Sequence, residues 1–138
     1  MSTPEPQPKF FLDRSLGRLA VPALLRAAGW DLVTLTEHYG VPDDERVSDP
    51  EWIRDAASRG WAILMKDKRI RYRRAEIDTV IECQAQCFVI TKGNLPSGEM
   101  ASRFLTARQA IFDAVATPGP YIYAVQSDRI DRLYPPRS

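Results

Sequence analysis

The sequence predicts an α/β fold in which helices cover both faces of a mostly parallel sheet. Short apolar segments of strand length alternate with helical segments along the whole chain. The apolar segments show little alternation with polar residues, which is typical of parallel strands buried on both faces. The length of 138 residues is that of one domain with a single hydrophobic core.

Five apolar segments are predicted to be the strands of this sheet. The first, "KFFLD", and the third, "WAILM", are the most continuous apolar runs. The segments cover residues 9–13, 31–35, 61–65, 87–90 and 120–125.

Four helices are predicted between these strands. Gly29 ends the first, and Pro22 favours a start near Val21, because proline is tolerated only in the first turn of a helix. The second has Ser48 or Asp49 as its cap. We interpret the polar segment before it, residues 37–48, as turns. The helices cover residues 16–28, 50–59, 73–83 and 97–116, the last being the longest.

The ends of the chain and its composition narrow the class of protein. Residues 1–8, "MSTPEPQP", are predicted to be a flexible tail, since their prolines disfavour a helix; residues 9–134 form the domain and residues 135–138 a second tail. No apolar run has membrane-spanning length and no signal peptide is evident, so we expect a cytoplasmic protein without a membrane partner. The two cysteines, Cys83 and Cys87, lack further ligands for zinc and are expected to be reduced thiols.

Charge is balanced over the chain but uneven along it. The formal net charge is only +1, yet a dense basic block follows the third strand. Such a block is usually a solvated surface, and it also suits a nucleic-acid backbone. We predict that the block binds phosphates. It comprises Lys66, Lys68, Arg69, Arg71, Arg73 and Arg74.

Acidic residues occur where the predicted strands and helices meet. Asp13 ends the first strand, Asp67 follows the third, and Asp49 and Glu51 begin the helix that leads into the third strand. In a parallel sheet these positions all lie at the carboxyl edge, where such folds bind ligands. Single acids of this kind are often turn formers or caps, and Asp49 is an excellent cap. Together they predict a site for a hard cation, Mg²⁺ or Mn²⁺.

The order and spacing of three motifs resemble PIN-like domains, in particular those of VapC-type toxins of bacterial toxin–antitoxin pairs. The motifs are "FFLDRSLG", "SDPEWIRDAASRG" and "WAILMKDKRIR", and the later "CFVITKGNL" and "PYIYAV" also fit. The resemblance covers residues 9–134. It implies a three-layer α/β/α fold and a metal-dependent endoribonuclease. It also implies RNA as substrate, a cognate antitoxin as partner, and in many cases a homodimer.

The resemblance also implies roles for the acids. Asp13 matches the first acid of the family, Asp67 the aspartate of its Thr-x-Asp motif, and Asp49 the acid of the intervening helix, with Glu51 as a substitute. These are the expected catalytic and metal-binding residues. The threonine of the motif is Met65 here, which cannot hydrogen-bond a ligand carboxylate.

The fourth acid of the family has no clear counterpart, although Glu37, Asp43 and Asp44 precede the second helix. A second hypothesis is therefore a PIN-like domain that binds RNA or a protein without cleaving. A phospho-receiver domain has the same α/β pattern, but it requires an acidic pair after the first strand, where Arg14 follows Asp13.

Overall fold

A six-stranded sheet forms the centre of the computed structural model, which describes residues 7–136. The strands lie in the order β2-β1-β3-β4-β5-β6; the first five pair in parallel, and β6 pairs antiparallel with β5. The predicted α/β class and mostly parallel sheet are confirmed. The strands are β1 (Lys9–Leu12), β2 (Asp31–Thr34), β3 (Ala62–Lys66), β4 (Gln86–Ile90), β5 (Tyr121–Val125) and β6 (Ile130–Tyr134).

Helices connect the strands and pack on both faces of the sheet. Short 3-10 turns at Arg14–Leu16, Asp43–Glu45 and Ile70–Tyr72 supplement them. No helix of the described residues is both long and apolar enough to cross a bilayer. The helices are α1 (Ala20–Ala27), α2 (Leu35–Tyr39), α3 (Asp49–Ser58), α4 (Arg74–Cys83), α5 (Ser97–Thr106) and α6 (Arg108–Val115).

Two hydrophobic cores, one on each face of the sheet, produce the three layers. Because side chains alternate along a strand, Phe10 and Leu12 join one core while Phe11 joins the other. The first core also receives α1, α5 and α6, and the second receives α3 and α4. Burial on both faces is the reason why these strands read as continuous apolar runs.

Three elements differ from the prediction. The predicted helix over residues 97–116 is two helices, α5 and α6, which meet at Ala107 without a glycine or proline to signal the break. The segment predicted as turns contains α2, where Thr34 and Glu37 form a capping box. That Thr-x-x-Glu pattern is readable in the sequence. Strand β6 was not predicted, since its half-buried residues lack a continuous apolar run.

The two predicted tails are described only in part. Residues 1–6 and 137–138 lie outside the described residues. Within the first tail, the side-chain amide of Gln7 donates to the carbonyl of Gly29 at 2.7 Å. Within the second, Pro136 lines an apolar cleft beside α4 and β6. Both described ends therefore contact the domain.

Candidate active site

The sheet has a topological switch point between β1 and β3. From β1 the chain crosses to β2 on one side, and after β2 it returns to β3 on the other side of β1. The connections on the two sides diverge, which opens a crevice beyond the carboxyl ends of these two strands. Asp13 directly follows β1, and Asp67 directly follows β3. The two acids therefore stand at the position where open α/β sheets bind ligands.

A polar cleft of about 490 Å³ occupies this crevice. It is lined by three acids, Asp13, Asp49 and Asp67, together with Lys66 and Arg73. The structure thus brings together three of the four strand-end and helix-initial acids that the sequence singled out. We call this space the acidic cleft.

Asp13 has a carboxylate oxygen without a hydrogen-bond partner. Its Oδ2 accepts a long bond of 3.4 Å from the backbone N–H of Ser15, whereas the buried Oδ1 has no partner in the described structure. Only 6% of the residue is exposed. Burial raises the pKa of Asp13 above its usual value, and the charge of Asp49 raises this pKa further. A buried carboxylate with one oxygen unpartnered is costly unless a cation or a proton compensates it.

Asp49 is held at the first turn of α3. Ser48 caps this helix and accepts the N–H of Glu51 at 3.3 Å. The Oδ1 of Asp49 accepts a bond of 2.9 Å from the indole Nε1 of the buried Trp52. The cap and the indole together fix the direction of the Asp49 carboxylate.

Asp67 is held by donors from its own segment. Its Oδ1 accepts the backbone N–H of Arg69 at 2.9 Å, and its Oδ2 forms an ion pair with the Nε of Arg73. Its backbone N–H donates to the carbonyl of Ile90 at 3.0 Å, which extends the pairing of β3 with β4. The ion pair raises the pKa of Arg73. A metal at Asp67 would share this carboxylate with the guanidinium.

Two residues that the sequence analysis did not select hold the cleft together. The Ser15 hydroxyl accepts the backbone N–H of Lys66 at 2.9 Å, which links the turn after β1 to the end of β3. The Arg14 guanidinium donates to the carbonyl of Val47 at 2.9 Å, which links the same turn to the segment before α3. Both residues follow Asp13 directly in the sequence, and that position is the only signal that could have identified them.

The acidic cleft fits a hard cation that takes only a few of its ligands from the protein. In the described part of the chain, no three Asp, Glu, His or Cys side chains converge closely enough to form a ready-made metal cluster. Mg²⁺, however, keeps several waters and needs only one or two carboxylates. Asp13, whose Oδ1 has no partner, lines this cleft with Asp49 and is close enough for the two charges to interact, so these two carboxylates provide such a donor set.

The other candidate acids do not line the acidic cleft. Glu51 lies two residues after Asp49 on α3, and this spacing turns the two side chains to different faces of the helix. Glu51 is exposed, and its charge acts on Tyr39. Glu37 binds Arg26 at 2.6 Å, and Asp44 accepts the Thr36 hydroxyl at 2.9 Å. Asp43 lies in the same 3-10 turn as Asp44 and does not line the cleft either. Glu51 is therefore not in a position to substitute for Asp49, and none of the candidates for a fourth acid reaches the site.

The basic block divides among three surfaces. Lys66 and Arg73 line the acidic cleft, and Lys66 also lines a neighbouring cleft with Lys68. Arg71 and Arg74 instead border an apolar cleft of about 410 Å³ between α4 and β6. Arg69 is exposed and lines none of these clefts. The basic residues therefore lie on separate surfaces, and their binding of phosphates stays a prediction.

The two cysteines are unpaired thiols, as expected. Cys87 is buried in β4, and burial raises its pKa to about 12. Cys83 is partly buried at the end of α4. A thiol with so high a pKa is a poor nucleophile and a poor metal ligand.

Comparison with known proteins identifies the family. A sequence profile described as "PIN like domain" matches residues 8–92, which include Asp13, Asp49 and Asp67. The chain belongs to the PIN-like domain family. A Mycobacterium tuberculosis (strain ATCC 25618 / H37Rv) protein named "Putative ribonuclease VapC45" is 40% identical over 123 residues, 89% of each chain. No solved structure gives a significant match.

Met65 stands where the resemblance to the PIN-like family places the threonine of the Thr-x-Asp motif. This side chain is buried in the core that contains α3, and it also borders the acidic cleft. The position therefore supplies an apolar wall and no hydrogen bond. In this PIN-like domain the hydrogen bonds to Asp67 come from Arg69 and Arg73 instead.

Proposed function

We propose that this PIN-like domain is a metal-dependent endoribonuclease, the toxin of a type II toxin–antitoxin pair. The observation that carries the proposal is the unpartnered Oδ1 of the buried Asp13, which lies in one cleft with Asp49 and Asp67 at the switch point of the sheet. The 40% identity to a protein named as a ribonuclease over nearly the whole chain supports the same activity.

The residues of the cleft have separable roles in this proposal. Asp13 and Asp49 would hold Mg²⁺ or Mn²⁺, and Asp67 would complete the ligand set. The ion would supply an activated water and neutralise charge at the scissile phosphate. Arg73, whose side chain is 46% exposed beside Asp67, would bind a phosphate oxygen while remaining close to the acid. Lys66 would attract the RNA backbone from the adjoining surface.

The partners follow from the family. We propose that a cognate antitoxin silences the nuclease, that the toxin acts on RNA in the cytoplasm, and that its oligomeric state is a homodimer. Expression of the chain alone should arrest bacterial growth, and co-expression of a small DNA-binding protein encoded beside it should relieve the arrest. Light scattering coupled to size exclusion would give the oligomeric state.

A second candidate is a PIN-like domain that binds RNA or a protein without cleaving it. Two observations favour it: Asp67 is already paired with Arg73 and Asp49 with Trp52, and no three ligands are preassembled in the described structure. In this case the guanidinium of Arg73 takes the electrostatic place of a metal beside Asp67.

Cleavage of a structured RNA with and without Mg²⁺ or Mn²⁺ separates the two candidates. The nuclease predicts metal-dependent cleavage that Asp13→Asn abolishes. Asp31→Asn is a matched control, since Asp31 begins β2 at the opposite edge of the sheet. RNA binding without cleavage under every metal condition would support the second candidate.

A further inference from the structure

A second polar cleft adjoins the acidic cleft on the side of β4. Its volume is about 280 Å³, and it is lined by Lys66, Asp67, Lys68, Gly93 and Asn94. Lys66 and Asp67 line both clefts, so the end of β3 is the wall between them. We call this second space the lysine cleft. A chain molecule that occupies one cleft can enter the other by passing over the end of β3.

The cations of the lysine cleft are available for a ligand. Lys66 and Lys68 form no salt bridge with any residue that the structure describes, whereas Arg73 and Arg74 are paired with Asp67 and Asp78. An unpaired ammonium on a polar surface is free to bind an anion without first breaking an ion pair. The two lysines therefore offer more net positive charge than the paired Arg73 and Arg74.

The loop after β4 completes the lysine cleft. The Lys68 side chain passes over Gly93, where an added Cβ would lie 3.6 Å from its Cδ. Asn94 follows in the left-handed conformation, with φ of 62°, and its exposed side-chain amide forms no hydrogen bond within the described residues. Asparagine tolerates this conformation and is a common turn residue for that reason. Because Asn94 also lines the cleft, its side-chain amide is placed to donate a hydrogen bond to a ligand there.

We propose that the lysine cleft binds the phosphate next to the scissile phosphate in a single-stranded RNA. Lys66 and Lys68 supply charge, and the Asn94 amide donates a hydrogen bond. This inference rests on the proposed function and adds the path of the strand: from the acidic cleft over Asp67 toward β4. The cleft volume of about 280 Å³ lies near the lower end of the range for ligand cavities, about 300–1,000 Å³, and is suited to a single backbone phosphate.

Binding of a labelled single-stranded RNA in EDTA tests the proposal without cleavage. The double variant Lys66→Gln/Lys68→Gln should bind more weakly at low salt. The slope of log affinity against log salt should flatten by about 1.4, which is roughly 0.7 for each lost contact with a single strand. Because both side chains reach solvent, the fold should persist, and circular dichroism would verify this.

A matched double variant controls for the loss of charge. Arg54→Gln/Arg59→Gln also removes two positive charges. These lie on α3 and at its C-cap, toward the opposite edge of the sheet. Its salt slope should equal that of the parent chain. If the lysine variant also keeps the parent slope, or if the parent chain does not bind the RNA, the lysine cleft is not a phosphate site.

Substitutions of Asn94 test the role of the amide. Asn94→Gly preserves the left-handed backbone and removes the side chain, so any loss of affinity belongs to the amide. Asn94→Asp keeps the size, removes the donor and adds a negative charge, so it should weaken RNA binding more than Asn94→Gly. If Asn94→Asp instead retains RNA affinity and gains affinity for Mn²⁺, the cleft is a second metal site and the phosphate proposal is overturned.

These outcomes are distinguishable from failure of the nuclease proposal. A chain that never cleaves RNA, but whose salt slope falls in the lysine variant, retains the phosphate site without the enzyme. A chain that cleaves RNA with an unchanged slope in the lysine variant is a nuclease whose substrate follows another path.

Discussion

Asp13 and Asp67 have the same side chain, yet their environments give the ionised carboxylates opposite effects on the stability of the metal-free fold. Asp13 is buried with one oxygen unpartnered, whereas Asp67 receives two donors, from Arg69 and Arg73. Ionised Asp13 therefore destabilises the metal-free fold, and ionised Asp67 is compensated. The same substitution should have opposite effects on stability at the two positions.

We expect Asp13→Asn to abolish cleavage and to stabilise the metal-free chain at neutral pH. An unsatisfied buried polar group costs about 1–3 kcal/mol, and the uncharged amide lowers this cost. Urea unfolding in EDTA would measure the gain. Asp67→Asn should instead lower the free energy of unfolding, because it loses its ion pair with Arg73. A lower stability of Asp13→Asn at pH 7 would contradict this account.

The pH dependence of this gain follows from the raised pKa of Asp13. A carboxyl whose folded-state pKa exceeds its unfolded value of 3.8 favours folding at low pH, and this contribution is lost as pH rises through the folded-state pKa. The stability difference between Asp13→Asn and the parent chain should therefore be near zero at the acid end and grow as pH rises. Unfolding curves at several pH values would test this.

Arg73 is expected to compete with the metal for Asp67. In Arg73→Gln the Asp67 carboxylate loses its internal cation, so Mn²⁺ should bind more tightly while RNA binds more weakly. Calorimetric titration with Mn²⁺ and an RNA binding assay would measure the two effects. Arg74→Gln is the control, because Arg74 pairs with Asp78 outside the acidic cleft. Weaker Mn²⁺ binding in Arg73→Gln would show that the guanidinium assists the metal.

At the scale of elements, the start of α3 determines where Asp49 lies. Ser48 caps this helix, and Thr34 caps α2 away from the acidic cleft. Loss of either cap should cost about 1 kcal/mol of stability. We expect Ser48→Ala also to lower cleavage, because the Asp49 carboxylate loses its fixed position, whereas Thr34→Ala should cleave at the parent rate. Equal rates in the two variants would mean that the cap does not position Asp49.

At the scale of the whole molecule, metal binding and folding stability should be linked. A metal that binds the folded chain at 100 times its dissociation constant adds about 2.7 kcal/mol to the free energy of unfolding. Mg²⁺ or Mn²⁺ should therefore raise the melting temperature of the parent chain and have little effect on Asp13→Asn. An equal rise in both proteins would indicate that the metal binds elsewhere.

The sequence by itself determined the fold class, the first five strands and the elements that carry Asp13, Asp49 and Asp67. These features depend on local signals: apolar runs that report burial on both faces, and the Ser-Asp-Pro pattern that starts α3. The capping box of α2 is also a local signal, although the segment was predicted as turns. Local signals can be read from the sequence because they depend only on residues that are neighbours in the chain.

Only the tertiary structure decided how these residues share surfaces. Glu51 and Asp49 are two residues apart, but the helix turns them to different faces. The basic block is continuous in sequence, yet Lys66 and Lys68 meet Asn94 while Arg71 and Arg74 border an apolar cleft. Strand order, which no local pattern encodes, placed β1 beside β3 and β3 beside β4, and long-range pairing of this kind created both polar clefts.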